Sequence, residues 1–274
     1  MEAVPLSPAL GAELRGVDAS RPLEDALFKK VLNAWHQHLV ILLRGQELDE
    51  EAQVRFAERF GALSPIHTSH HSATNKAVMY IGNRKQDGKI IGALPLGEMQ
   101  FHSDQCYKEC PAMGTMLYAI EIPSQGGNTL FANGYKAYQA LPADVKRAVE
   151  GKKAVHVYDY EGGVTDRREM VAPSEGLSFA HPIARTHPAT GRKSLYVNRL
   201  MTHHIEGLPG EESERLLALM FESLERPEFI YEHRWRVGDL LLWDNRCVLH
   251  ARRDFDPNER RWLRRVTIKG DRPR

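Results

Sequence analysis

The chain places His102 and Asp104 one residue apart, in Phe101-His102-Ser103-Asp104. In an extended strand, side chains two apart face the same way, with Cα atoms about 6.6 Å apart. An imidazole nitrogen and a carboxylate oxygen so placed can meet on one ion. One more imidazole from elsewhere would give two histidines and one carboxylate on one face of a metal, the open-sided ligand set of non-haem Fe(II) oxygenases. His250, closing Trp243-Asp244-Asn245-Arg246-Cys247-Val248-Leu249-His250, is the distant residue read together with that pair. Among 13 histidines and 36 acidic residues a lone His-x-Asp arises by chance, so the rest of the chain must decide its meaning.

The elements that would carry these residues are legible as patterns. Residues 4–20 suggest a strand pair, and Leu27, Val31, Ala34 and Trp35 recur at the three- and four-residue steps of a buried helix face. Leu39 to Leu43 is a short apolar run that predicts a buried strand, and Asp49 is the expected N-cap of a second helix ending before Gly61. From about 64 to 98 the pattern is loop-like, with histidines at 67, 70 and 71 and one strand at 78–81. So long an irregular stretch just before the metal tripeptide is an expected active-site lid, with His67 its candidate pocket residue. Further strands are expected at 115–120, after Gly126-Gly127, and at 153–158, 194–198, 229–235, 239–243 and 262–268. Helices are expected over 134–150, with Pro142 starting a second one, and over 211–224. Residues 160–180 read as a surface insertion. Early helices and many late strands predict an α+β chain, mainly β, organised as one domain over 1–274 around an antiparallel sandwich or barrel.

Composition narrows the function. A formal net charge of +1 with 42% hydrophobic and 27% charged residues fits a soluble globular protein and gives no reason to expect nucleic acid or an anionic membrane as partner. Met1-Glu2-Ala3-Val4-Pro5 has no basic start followed by an apolar run, and no window reaches the ~18 apolar residues of a membrane span. Three cysteines, Cys106, Cys110 and Cys247, fit reduced thiols and a cytoplasmic location. Homo-oligomerisation is left open.

Arg260-Arg261-Trp262-Leu263-Arg264-Arg265-Val266-Thr267 demands a partner. As a strand it turns Arg261, Leu263, Arg265 and Thr267 one way and Trp262, Arg264 and Val266 the other, so whichever face is buried carries arginine. A buried guanidinium needs an anionic or otherwise hydrogen-bonding partner, and carboxylate ligands inside a barrel would supply it.

Taken together, His102-x-Asp104, Gly126-Gly127-Asn128-Thr129-Leu130-Phe131-Ala132-Asn133, Trp243-Asp244-Asn245-Arg246-(x3)-His250 and Arg261-(x3)-Arg265 resemble the taurine dioxygenase and dichlorophenoxyacetate dioxygenase family. Gly11 to Asp18 and Arg185-Thr186-His187-Pro188-(x2)-Gly191-Arg192-Lys193 extend the resemblance over most of the chain. The stretch 229–265 is more similar to the dichlorophenoxyacetate branch than to the taurine branch. The resemblance implies a double-stranded β-helix, or jelly roll, with flanking helices. It also implies Fe(II), with 2-oxoglutarate and O2 as cosubstrates, and a small carboxylate or sulfonate substrate, aryloxyacetate-like rather than taurine-like. The reaction implied is oxidative decarboxylation to succinate and CO2 coupled to hydroxylation of the substrate.

By the same resemblance His102, Asp104 and His250 would be the iron ligands. Thr129 and Arg261 would hold the distal carboxylate of 2-oxoglutarate, and Arg265 would lie near the substrate's anion. Arg261 and Arg265, about 13 Å apart at Cα on one strand face, could serve two anions in one pocket. Asn128 stands where the family usually has an acidic residue, at a position that need not point inward. Two rivals are a non-catalytic metal-binding jelly roll, which has no need of the arginine pair and Thr129, and a zinc hydrolase built on His102, Cys106 and Cys110. Succinate formation separates the oxygenase from both.

Overall fold

The computed structural model describes residues 1–65, 72–94, 96–159, 167–172 and 176–274. A hairpin of β1 (Glu2–Pro5) and β2 (Ala12–Arg15) leads into α1 (Asp25–His38), which buries Val31, Ala34 and Trp35 and closes on Leu39 in the left-handed region. Strand β3 (Val40–Leu43) is buried throughout. Helix α2 (Glu50–Glu58) starts where the Asp49 carboxylate accepts from the Ala52 amide at 2.7 Å, satisfying one orphan N–H of the first turn. Next come β4 (Val78–Gly82), a ribbon of β5 (Lys85–Gln86) and β6 (Lys89–Ile90), then β7 (Met99–His102), β8 (Ala112–Glu121) and β9 (Thr129–Asn133). Helices α3 (Gly134–Ala140) and α4 (Ala143–Val149) are divided at Pro142 as the pattern predicts. Short strands β10 (Lys153–Val157), β11 (Ser178–Pro182), β12 (Ala184–Thr186), β13 (Lys193–Leu195) and β14 (Thr202–Ile205) precede α5 (Gly210–Leu224). The chain closes with β15 (Ile230–His233), β16 (Leu240–Asp244), β17 (Val248–Arg252) and β18 (Trp262–Lys269).

Two sheets organise these pieces: a larger one in the order β1-β2-β3-β16-β8-β18-β4 and a smaller one in the order β15-β9-β17-β7. Alternation along each strand assigns its two faces. In β16, Leu241 and Trp243 point inward to a core shared with Phe131 and Val248 of the smaller sheet. Leu240 and Leu242 point outward, beneath Val31 and Trp35 of α1 and Phe56 of α2. On the far side, Ala132 and Leu249 of the smaller sheet pack under Ala137 of α3 and Leu216, Leu217 and Met220 of α5. Each such leucine, fully buried, contributes about 1.5–3 kcal/mol of transfer free energy. The result is a β-sandwich faced by helices on both sides.

Several expectations are corrected. Strand β7 stops at His102, so Asp104 lies in the turn beyond it and not on the strand. The arginine-rich strand β18 is buried on both faces, because the helix layer covers the face turned away from the sandwich. There Arg264 donates to the Gln53 side chain at 2.7 Å and to the carbonyls of Leu48 and Asp49, and it stacks on Tyr118. The expected strand at 194–198 is only β13, and β17 was not anticipated. His67, His70 and His71 lie outside the described residues, as does much of the expected insertion. Arg167 of that segment is buried, with Nη2 on the Glu214 carboxylate and Nη1 on the carbonyls of Thr202 and His203. No helix among the described residues is long and apolar enough to cross a membrane.

The β10 layer sets an acid limit. His156 is fully buried, and burial first, then neighbouring His181, pushes its pKa down to about 3. The unfolded chain protonates a histidine near ~6.5. Below that pH the unfolded state therefore binds the extra proton, and stability present above it is lost as pH falls. From pH 7 to pH 5 the expected loss from His156 alone is on the order of 2 kcal/mol. The melting temperature of His156→Gln should accordingly fall less steeply over that range than the parent's; parallel curves would remove His156 as a cause.

Candidate active site

The cross-strand register of the smaller sheet brings the distant histidine home. β17 lies between β9 and β7, with His250 opposite His102 and their ring centroids 4.1 Å apart. From the turn after β7, Asp104 Oδ1 lies 3.9 Å from Nε2 of both imidazoles. The ligand atoms of the three residues all fall within 4.8 Å of one another. Nδ1 of His102 is 2.9 Å from the Gln100 carbonyl, which can only accept, so the proton sits on Nδ1 and Nε2 offers its lone pair.

Electrostatics prepares the same set. Burial pushes His102 down, and burial followed by His102 pushes His250 well down, so both imidazoles are neutral. Burial alone would raise the Asp104 carboxyl. Arg265, His250, His102 and the Thr115 hydroxyl outweigh it and hold the group well below the usual carboxylate range. Neutral imidazoles and an ionised carboxylate are the protonation states a divalent cation needs.

Asp104 is held from behind by residues the sequence reading did not single out. Thr115 donates its hydroxyl to Oδ2 at 2.6 Å, leaving Oδ1 to face the imidazoles. Asn245 donates to that hydroxyl at 3.0 Å and accepts from the Asp104 amide and from Trp243 Nε1. Ser103 donates to the Asn245 carbonyl at 2.9 Å. Trp243-Asp244-Asn245-Arg246 carries the signal, but the pairing of β16 with β8 decides that Asn245 is the side chain that meets Thr115.

A cavity opens beside the cluster, lined on its polar side by His102, Thr129, His250, Arg252, Arg261 and Arg265. Ile81, Leu94, Met99 and Leu117 form its apolar wall. Arg261 is buried and its Nε donates to the Gly127 carbonyl at 3.2 Å, while Nη1 has no partner among the described residues. Burial and then Arg252 lower its pKa to about 9, which still leaves a cation at neutral pH. A buried cation with an orphaned nitrogen is what a carboxylate would complete. Thr129 Oγ1 accepts from Trp235 Nε1 at 3.0 Å, leaving its hydroxyl proton to donate. Gly127, at φ 64°, holds a conformation that strains a side chain, and a Cβ there would crowd Arg261 Nε at 3.0 Å. Asn128 turns away, donating to Glu232 at 2.7 Å.

Arg265 pairs with a carboxylate of the chain itself, Asp104, with Nη2 2.8 Å from Oδ1. His67 lies outside the described residues.

A second group, His187, Asp244 and Cys247, has comparable spacing. It is a structural tie and not a metal site. His187 Nδ1 accepts from the amides of Ala189 and Thr190, so its proton is on Nε2, donated to Asp244 Oδ2 at 2.9 Å. Arg246 closes a two-bond fork on the same carboxylate. Cys106 and Cys110 belong to neither cluster. Burial pushes the Cys106 thiol up to about 12, which suits a packing residue and not a thiolate ligand.

The profile of the family described as taurine catabolism dioxygenase TauD, TfdA family matches residues 2–267. The chain belongs to this family. A TauD/TfdA relative from Burkholderia sp. (strain RASC), alpha-ketoglutarate-dependent 2,4-dichlorophenoxyacetate dioxygenase, is 35% identical over 98% of this chain and 94% of its own. The (S)-phenoxypropionate/alpha-ketoglutarate-dioxygenase of Sphingobium herbicidovorans is 33% identical over 97% of this chain and 94% of its own. Among solved structures, AAD-2 in complex with Mn(II) and N-oxalylglycine superposes with a TM-score of 0.83 at 28% identity, covering 99% of both chains. As a TauD/TfdA member the chain is a mainly β, non-haem Fe(II)- and 2-oxoglutarate-dependent dioxygenase.

Proposed function

We propose that His102, Asp104 and His250 hold the iron, that Thr129 and Arg261 hold the distal carboxylate of 2-oxoglutarate, and that Arg265 meets the anionic group of the substrate. The sandwich is a double-stranded β-helix forming one domain, and the substrate is a small carboxylate with an apolar body, aryloxyacetate-like. What carries this reading is one cavity lined by two imidazoles, with Asp104 joining them, a buried arginine whose Nη1 has no partner among the described residues, and an apolar wall. When bound, iron and 2-oxoglutarate supply oxidative decarboxylation to succinate and CO2 coupled to hydroxylation of a substrate C–H. The chain's own residues bind and orient. Thr115 holds Oδ2 of Asp104 so that Oδ1, which Arg265 also reaches, faces the imidazoles, and Arg261 fixes the cosubstrate by its far end. Ile81, Leu94, Met99 and Leu117 hold the substrate's body and exclude water, so that binding energy is converted into position. The relatives named for 2,4-dichlorophenoxyacetate and phenoxypropionate support a carboxylate attached to an aromatic ether.

The test is oxygen uptake with iron(II), 2-oxoglutarate and a panel of 2,4-dichlorophenoxyacetate, (S)-phenoxypropionate, an alkyl sulfate ester and taurine. The aryloxy acids should give the highest kcat/KM; preference for taurine would overturn the substrate assignment. Arg265→Ala should leave the KM for 2-oxoglutarate within about twofold but raise the ratio of succinate to hydroxylated product several-fold, because a substrate without its charge-assisted anchor drifts from the metal. A fall in melting temperature with equal loss of both products would make Arg265 structural, acting through Asp104.

A further inference from the structure

We propose that Arg252 is a positioning residue that hangs the substrate-facing wall of the cavity on the strand that carries His250. The role rests on the reading of this cavity as the substrate's. His250 and Arg252 are two apart on β17 and both line the cavity. Although 8% exposed, Arg252 directs its guanidinium at main-chain carbonyls: Nη1 to Leu94 at 2.6 Å, Nη2 to Leu96 at 2.8 Å, and Nε to Gly97 at 3.1 Å. Asp254, two residues further on, accepts from the Gly97 amide at 3.1 Å. One short stretch of β17 and its continuation thus holds three carbonyls and one amide of the 94–97 segment.

Its described residues, Leu94, Leu96 and Gly97, lie in no strand or helix, yet Leu94 stands in the apolar wall. Leu94 sits at φ 49°, a conformation that a residue with a Cβ adopts only when its surroundings impose it. Just upstream, Ala93 is tied to β4 by the bonds Ala93 N to Tyr80 O and Gly82 N to Ala93 O. Beyond Ala93 the contacts from Arg252 and Asp254 take over. A segment held by few backbone bonds opens at little cost, so a fork that takes three carbonyls at once dominates its local stability. Lysine could not reproduce it, because an ammonium is a point donor without a planar fork. Since the same strand carries His250, the distance from the metal cluster to the wall is set within two residues of chain. Arg252 therefore governs where the substrate's body rests.

The variants are Arg252→Gln and Arg252→Lys, assayed with iron(II), 2-oxoglutarate and 2,4-dichlorophenoxyacetate as probe, with hydrogen exchange read at the amides of Leu94, Leu96, Gly97 and Glu98. For both variants the KM of the probe should rise about tenfold or more and succinate should exceed hydroxylated product. The KM for 2-oxoglutarate should stay within about twofold, and exchange at those amides should quicken while β17 stays protected. Equal rises in both KM values, or unchanged exchange in Arg252→Gln, would overturn the proposal. Recovery of parental behaviour by Arg252→Lys would overturn the fork and leave only its charge. If the parent does not oxidise the probe, the substrate assignment above fails separately. Arg252 then stands or falls on the exchange data and on succinate formed without added substrate, which should rise in Arg252→Gln.

Discussion

Replacing His250 with alanine should lower 2-oxoglutarate turnover by on the order of 10³-fold or more while the protein stays folded, because in the proposed ligand set the metal would lose one of three protein ligands. His250 closes the cluster from β17, at 3.9 Å from Asp104 Oδ1 and in ring contact with His102. It also packs on Trp243, with centroids 4.6 Å apart, so truncation leaves a small hole. The expected stability cost is the ordinary ~1–3 kcal/mol of a core truncation, too little to unfold most domains. Mn(II) binding, read by electron paramagnetic resonance, should weaken in step with turnover, and a modest drop in melting temperature should accompany both. Near-parental metal affinity and turnover would remove His250 as a ligand. His187, with both ring nitrogens engaged, could not replace it.

Arg261→Ala should raise the KM for 2-oxoglutarate by roughly 10- to 100-fold, the equivalent of the ~1.5–3 kcal/mol carried by a charge-assisted pair. Arg261→Lys keeps the charge without the planar fork, so its effect should be smaller. Stability should move the other way. The guanidinium is buried with Nη1 unpartnered, and burial together with Arg252 already lowers its pKa to about 9. Removing it relieves a desolvated cation, so without cosubstrate the melting temperature of Arg261→Ala should equal or exceed the parent's. Adding 2-oxoglutarate should raise the parent's melting temperature and leave the variant's nearly unchanged. If both proteins gain equally, Arg261 does not hold the cosubstrate.

Much of the frame could be read locally. The helix near 24–38, the Asp49 cap, the Pro142 break and the strands near 239–243 and 262–268 are set by short-range periodicity and capping chemistry, and all are found. Strand β17 is not legible in the sequence because its apolar run, Cys247 to Leu249, begins directly after the polar turn at 244–246 and is broken by His250 and Arg252. Asp104 reaches the cluster from a turn and not from the strand that its spacing to His102 predicts. The pairing survived because two residues of turn also keep the side chains close.

By itself the sequence determined the residue types at the site, His102-x-Asp104, Thr129, His250 and the arginine strand, and with them the family and its cosubstrate. These follow from motif order and spacing, which are properties of the chain. Only tertiary structure decided which groups touch: the register that sets His250 opposite His102, the Thr115–Asn245 support behind Asp104, the Arg265–Asp104 pair and the grip of Arg252 on 94–97. Each of these joins residues more than ten positions apart, and strand register is fixed by burial across the whole sheet and not by any local preference. The second buried face of β18 was hidden for the same reason, since no property of that strand announces that α2 will cover it.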